Sequence, residues 1–158
     1  MRVNGAGPVR VQVRRNLAPS LAESITVEAT APSILTVDQR GSGAGLIFHE
    51  MDARLVTEAS PARLGESIAI YCTGLGALKT PLKTGAIAPN PPLETVATPR
   101  ATIGRLDASV SFSGAAPGYA GLYRVIVQIP AESPKGNAVT LAIAIDGVSS
   151  NVVTLAIQ

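Results

Sequence analysis

The chain has 158 residues, enough for one domain of ordinary size, whose folding removes about 70% of the unfolded surface from water. Its apolar share of 46% includes only two Phe, three Tyr and no Trp, so the predicted core is built from Ala, Val, Ile and Leu. Charged residues make up 15% and the net charge is +2, which is too small to argue for nucleic-acid binding.

The first predicted element is a hairpin near the N-terminus. Val9, Val11 and Val13 alternate with polar residues, and a second strand at 24–28 repeats the alternation. The apolar register of this pair matches that of VTLAIAID and NVVTLAIQ at the other end of the chain, which indicates an internal repeat. We therefore assign residues 1–30 to an N-terminal hairpin that is the remnant of a truncated preceding module. We expect its open edge to pack on the second module or to pair between chains in a homodimer.

Residues 31–158 are predicted to form one β-sandwich. Pro32 predicts a bend, and short strands follow at 35–37 and 45–48. The clearest central strand is 67–73, where Ile68, Ile70 and Cys72 share one face. No long stretch has the charged, straight-chain composition of an amphipathic helix, so the predicted fold class is all-β.

The second half of the chain continues the pattern of strands and turns. The Pro- and Lys-rich segment 77–92 is predicted to be a long irregular loop. Strands are predicted at 101–103, 108–112, 122–129, 139–145 and 152–157. Asp146 and Gly147 predict a tight turn between two of the last three strands.

Four ordered blocks of this sequence resemble a known family. They are GESIAIYCTGLG at 65–76, FSGAAPGYAGLY at 112–123, VQIP at 127–130 and GVSSN at 147–151. Together they are similar to C-terminal immunoglobulin-like modules of large secreted acidobacterial proteins, whose biochemical role is unassigned, and the resemblance spans about residues 30–158. The resemblance implies an immunoglobulin-like β-sandwich, an extracellular setting and a terminal accessory unit. It carries no catalytic residues to transfer.

The function predicted from these observations is a non-catalytic extracellular attachment or protein-interaction module of a secreted multi-domain protein. Its expected partners are other domains of that protein or a cell-surface component, without nucleic acid and without membrane insertion. The chain as given has no signal-peptide pattern and no run long enough to span a bilayer, so the extracellular location follows from the resemblance alone.

An alternative prediction is a small hydrolase of esters or lactones, such as acylated lactones. His49 is the only histidine, so any general base of the Ser-His type must use it. In this hypothesis Glu50 or Asp52 orients His49, and Ser42 of the Gly-rich string GSGAG is the nucleophile. The other interpretation of His49 is a polar residue at a strand end beside a turn.

No cofactor is required by the principal prediction, and calcium is the candidate for the alternative. Asp38, Asp52, Asp107 and Asp146 all lie near predicted turns, where carboxylates from separate loops can meet a calcium ion. No linear calcium-binding motif accompanies them, so solvated turn residues are the competing interpretation. Cys72 alternates in phase with Ile68 and Ile70, which predicts a buried, unreactive thiol.

Overall fold

The computed structural model describes residues 7–158, and within them it contains thirteen β-strands and no helix. The predicted all-β fold class is therefore confirmed. No helix among the described residues could cross a membrane. The strands are β1 Gly7–Val11, β2 Arg14–Arg15, β3 Ala18–Pro19, β4 Glu23–Val27, β5 Ser33–Ile34, β6 Ile47–His49, β7 Ser67–Thr73, β8 Arg100–Ile103, β9 Leu106–Ala115, β10 Tyr123–Gln128, β11 Gly136–Ile145, β12 Val148–Ser149 and β13 Val153–Ile157.

The long strand β9 belongs to both layers of a curled sheet. Its first residues pair with β8, which pairs with β11, and β11 also pairs with β12 and β13. Its later residues pair with β10, which pairs with β7, and β7 pairs with β5 and β6. A register shift between Ile126 and Val127 lies close to this change of partner, as expected of a bulge that bends a strand. The result is consistent with a β-sandwich.

The C-terminal strand β13 contacts both layers, at the side away from β9. It pairs with β11, and it also forms parallel bridges from Thr154 to Ala44 and from Ile157 to Ala62. The Gly45 N–H donates to the Thr154 carbonyl over 2.9 Å. Because these loop residues lead directly into β6 and β7, β13 connects one layer to the other.

The core between the layers is aliphatic, as the composition predicted. Val139, Leu141 and Ile143 on β11 are 7%, 0% and 1% exposed, and they belong to the same buried cluster as the inner side chains of β7. Ile68, Ile70 and Cys72 alternate inward along β7, as their period-two spacing predicted. Burial of branched aliphatic side chains is the main source of stability in such a core.

The N-terminal hairpin is present, and most of its apolar side chains are exposed, with Val9 and Val27 half-buried. β1 pairs with β4 in a register that places Val9 opposite Ile25. β2 and β3 extend the hairpin around Asn16 and Leu17, which both have positive φ. Leu17 is 93% exposed. Residues 1–6 of the predicted segment 1–30 lie outside the described residues, and its origin as the remnant of another module stays a prediction.

The largest difference from the predicted strands lies around Ile34. The predicted bend at 31–34 contains β5, and the predicted strand 35–37 contributes only a bridge from Thr36 to Gly45. The cause is a contact that is distant in sequence. Asn151 Oδ1 accepts from the Ile34 N–H over 2.7 Å, and Asn151 Nδ2 donates to the Ile34 carbonyl over 3.0 Å and to the Gly41 carbonyl over 2.8 Å. The Asn151 side chain thereby satisfies the backbone N–H and carbonyl of Ile34 on the open edge of β5, where no further strand of residues 7–158 pairs.

Candidate functional site

His49 ends the short strand β6, and its side chain is turned into the protein. β6 pairs with β7 so that His49 lies opposite Ile68. Ile47 and His49 are buried while Phe48 between them is half-buried, which is the alternation of a strand with one inner and one outer face. His49 is 7% exposed, so its ring nitrogens need partners within the protein.

Both ring nitrogens of His49 have polar partners. Nδ1 lies 2.5 Å from Glu66 Oε1, and Nε2 lies 3.1 Å from the Ser60 carbonyl oxygen and 3.3 Å from Ser60 Oγ. The other carboxylate oxygen of Glu66 accepts from the Arg63 N–H over 2.8 Å. The Ser60 hydroxyl, the His49 imidazole and the Glu66 carboxylate are therefore connected in that order at hydrogen-bond distances. No local sequence pattern singles out Ser60 or Glu66.

These groups open onto a surface cleft of about 640 Å³. Two exposed arginines, Arg54 and Arg63, lie on its wall together with Met51 and Gln158. Ser60 is half-buried, and the Glu66 side chain keeps 21% of its exposure. A small molecule can therefore reach the hydroxyl and the carboxylate. Arg54 is paired with Asp52, so Arg63 is the cation of the wall that can attract an anionic group.

The residues predicted to act with His49 occupy different places. Asp52 lies on the wall of the same cleft, but its carboxylate pairs with Arg54 Nε over 2.6 Å. Hydrogen bonds from the Arg54 backbone N–H and side chain lower the pKa of Asp52. The Glu50 backbone N–H donates to the Ser67 carbonyl over 3.1 Å, and Ser42 is exposed on its Gly-rich loop. Within residues 7–158, the side-chain partners of His49 are Glu66 and Ser60.

The four carboxylates predicted to bind calcium are spread over separate turns. No group of three or more His, Cys, Asp or Glu side chains converges among residues 7–158. Three of the four instead pair with a nearby guanidinium, and Asp146 occupies the tight turn with φ of 51°. The pairs are Asp38 with Arg40 at 3.8 Å, Asp52 with Arg54 at 2.6 Å and Asp107 with Arg100 at 3.1 Å. Calcium binding stays a prediction, and these contacts give it no support.

Cys72 is fully buried on the inner face of β7. Burial disfavours the thiolate and raises the pKa of the thiol to about 12. The thiol is therefore protonated and out of reach of solvent at neutral pH, which agrees with the predicted unreactive residue.

A second candidate site lies on the outer side of the layer that contains β10 and β7. A row of outward side chains crosses four strands, because Phe112 pairs with Ile126, Ile126 with Ala69, and Ala69 with Phe48. A second row joins Arg124 to Tyr71. We call this surface the aromatic face, and its members are Leu35, Leu46, Phe48, Ala69, Tyr71, Phe112, Tyr119, Leu122, Arg124 and Ile126. Four of the five aromatic residues of the chain are on it.

The aromatic face contains a cleft of about 470 Å³. The rings of Phe48 and Tyr71 meet edge to face with centroids 5.3 Å apart and an angle of 82° between their planes. The Arg124 guanidinium lies 5.6 Å from the centroid of the Phe112 ring, within cation–π range. Arg124 Nε is buried without a hydrogen-bond partner among the described residues. A guanidinium beside aromatic rings can bind a carboxylate while the rings contact an apolar group of the same ligand.

The fifth aromatic residue, Tyr123, has a structural role. Its hydroxyl donates to the Gly76 carbonyl over 2.5 Å and thereby fastens the end of β7 to the start of β10. Partial burial raises the pKa of this hydroxyl, so it keeps its proton and continues to donate.

Comparison of the chain with protein-family models, with curated proteins and with solved structures gave no match.

Proposed function

We propose that this chain is an extracellular attachment or protein-interaction module with an immunoglobulin-like arrangement of its sandwich, and that it binds its partner through the aromatic face. The observation that carries the proposal is the segregation of side chains. The buried core is aliphatic, whereas four of five aromatic residues lie on the outer side of one layer. The extracellular, multi-domain setting rests on the resemblance in four sequence blocks.

The composition of the aromatic face supports a protein partner. The solvent side of an antiparallel sheet is ordinarily polar, yet Phe48, Tyr71 and Ile126 here leave apolar surface half-exposed. Aromatic residues and Arg are the types most enriched where proteins bind each other, and aromatic rings bury large areas at a small cost in side-chain entropy. A contiguous apolar patch of this kind marks an interaction site.

The geometry also favours a protein over a carbohydrate. Sugar rings stack on flat aromatic platforms, but the planes of Phe48 and Tyr71 stand 82° apart and form a notch. An aliphatic or aromatic side chain fits such a notch. Arg124 lies beside it and offers a guanidinium to an acidic group. The expected partner surface thus presents an apolar anchor next to an Asp or Glu side chain.

The test compares matched variants of the full chain for binding to a cell-envelope protein extract, measured by biolayer interferometry. Phe48→Ala, Tyr71→Ala and Arg124→Ala each remove one part of the aromatic face. Val152→Ala is the control, because Val152 is apolar, is 57% exposed and lies outside the aromatic face. We expect each face variant to weaken binding about tenfold or more, as truncation of a central interface residue commonly does, and the control to match the wild type.

Two results would overturn the proposal. One is the absence of saturable binding by the wild-type chain. The other is binding that all three face variants retain, because the aromatic face would then contribute nothing to it. Far-UV circular dichroism of each variant establishes that its fold is intact before its binding is compared.

A further inference from the structure

We propose that Ser60, His49 and Glu66 form a nucleophile–base–carboxylate triad that hydrolyses small carboxylic esters and lactones. The two contacts that define such a triad are present. Ser60 Oγ lies 3.3 Å from His49 Nε2, and His49 Nδ1 lies 2.5 Å from Glu66 Oε1. Serine hydrolases on unrelated folds are defined by this order of groups and not by their positions in sequence.

The hydrogen bonds orient the imidazole for this role. In the tautomer with its proton on Nδ1, His49 donates to Glu66, and Nε2 can accept from the Ser60 hydroxyl. Glu66 is itself held, because its second oxygen accepts from the Arg63 N–H over 2.8 Å. His49 is 7% exposed, so water cannot readily displace these partners. The ring is therefore restrained on one side by a fixed carboxylate and meets the hydroxyl on the other.

The protonated His49 ring has an oxygen acceptor for each of its two N–H groups. When Nε2 takes a proton from Ser60 Oγ, the new N–H has the Ser60 carbonyl oxygen 3.1 Å away as an acceptor. The imidazolium then donates at both nitrogens, to Glu66 and to that carbonyl. This arrangement stabilises the charge that develops on His49 as the hydroxyl attacks.

The reaction requires no group besides substrate and water. Ser60 Oγ bonds to the acyl carbon while its proton passes to His49 Nε2. The ester C–O bond then breaks, and the leaving alcohol takes that proton, which leaves an acyl-serine. Water repeats the sequence on the acyl carbon, releasing the carboxylic acid and restoring the hydroxyl.

The surroundings restrict the substrate. The backbone N–H groups of Ser60, Ala62 and Gly65 all donate within the protein, so they are not available to bind the oxyanion. The cleft wall also carries the side-chain amide of Gln158 and the exposed guanidinium of Arg63, for which no ion pair forms among the described residues. We therefore expect slow turnover confined to reactive esters and lactones, with a preference for acyl groups that carry a carboxylate.

The activity test uses 4-nitrophenyl acetate and 4-nitrophenyl hemisuccinate with the full chain. Ser60→Ala and His49→Gln should each lower kcat/KM about 100-fold, in line with loss of general-base catalysis, and hemisuccinate should be the better substrate of the wild type. Ser42→Ala, on the exposed Gly-rich loop, is the matched control and should be unchanged. Hydrolysis that persists in Ser60→Ala, or is absent from the wild type, would overturn the proposal.

Glu66 is a positioning residue, and its variant tests that role. Glu66→Gln keeps an oxygen that can accept from the Arg63 N–H, so the fold should be retained. The amide carries no charge to offset the imidazolium that forms as the hydroxyl attacks, so kcat should fall about tenfold or more while KM for 4-nitrophenyl acetate stays unchanged. An unchanged kcat would show that the carboxylate has only a structural role.

A covalent probe supplies a readout that is independent of turnover. Diisopropyl fluorophosphate should phosphorylate Ser60, which is the one serine in the tryptic peptide 55–63. Mass spectrometry should find the adduct on that peptide in the wild type and in Ser42→Ala, and its rate of formation should fall about 100-fold in His49→Gln. Equal labelling in His49→Gln, or labelling confined to another serine, would overturn the triad.

Discussion

Asn151 is expected to fix the edge of the layer that carries the aromatic face, and its replacement tests how that edge is held. Its side chain makes three hydrogen bonds to the backbone, two to Ile34 and one to the carbonyl of Gly41, and its Oδ1 also accepts from Ser33 Oγ over 3.5 Å. Ile34 is 1% exposed and lies in β5, directly before Leu35 of the aromatic face. Asn151→Ala removes all three partners at once.

The magnitude follows from what the substitution leaves behind. The N–H and the carbonyl of Ile34 lose their partners at a buried position, and each such group costs roughly 1–3 kcal/mol. The Gly41 carbonyl belongs to an exposed residue and can bind water instead. We therefore expect a loss of about 2–6 kcal/mol in the free energy of unfolding, or roughly 4–24 °C in Tm for a domain of this size.

Urea unfolding followed by far-UV circular dichroism measures this loss. Val152→Ala, at the adjacent exposed position, should stay within about 0.5 kcal/mol of the wild type. Asn151→Asp keeps the size of the side chain and its acceptor for the Ile34 N–H but replaces the amide donor, so it should also be destabilising. If Asn151→Ala unfolds like Val152→Ala, or if Asn151→Asp matches the wild type, the hydrogen bonds do not hold β5.

Three further outcomes follow from single positions. Burial raises the pKa of Cys72 to about 12, so its thiol should be inert to Ellman's reagent in the native chain at mildly alkaline pH and should react fully in denaturing guanidinium. A Cβ added to Gly114 would lie 2.3 Å from the Leu93 carbonyl oxygen, so Gly114→Ala should lower the free energy of unfolding in urea by about 1–3 kcal/mol. The pKa of Asp52 is lowered below its ordinary value of 3.8 by hydrogen bonds from Arg54, so its stabilising contribution is present above that pH and is lost as pH falls through the lowered pKa. Asp52→Asn should therefore show a smaller loss of stability on acidification.

The strands that could be predicted from sequence are those in which residues of an inner and an outer face alternate along the strand itself. β7 was predicted with both of its bounds, because alternation along SIAIYCT indicates an inner and an outer face without reference to any neighbour. The turn at Asp146 and Gly147 was also predicted, and both residues adopt positive φ. β5 was missed because Pro32 indicates a bend locally, whereas the strand depends on a side chain 117 residues away.

The candidate triad could be predicted only in part, since its members meet through strand pairing. His49 was selected because it is the sole histidine, and the neighbours chosen for it were those adjacent in sequence. The pairing of β6 with β7 instead places His49 opposite Ile68 and brings Glu66, two residues earlier, to its ring. Antiparallel pairing of the predicted strands at 45–48 and 67–73 was the signal that could have identified Glu66. Ser60 lies in the connecting loop, whose course had no local pattern.

The location of the aromatic residues is the link between fold and proposed function. The composition contains five aromatic residues in 158 and does not indicate where they lie. A core that packs from Ile, Val, Leu and Ala, however, does not need them, since branched aliphatic side chains fill the space between two layers. Phe48, Tyr71 and Phe112 are therefore free to occupy outward, half-buried positions, where they bury less apolar surface than a core ring would. Substitution of these three residues should then affect binding more than folding, which is the behaviour expected of an interaction surface and not of a core.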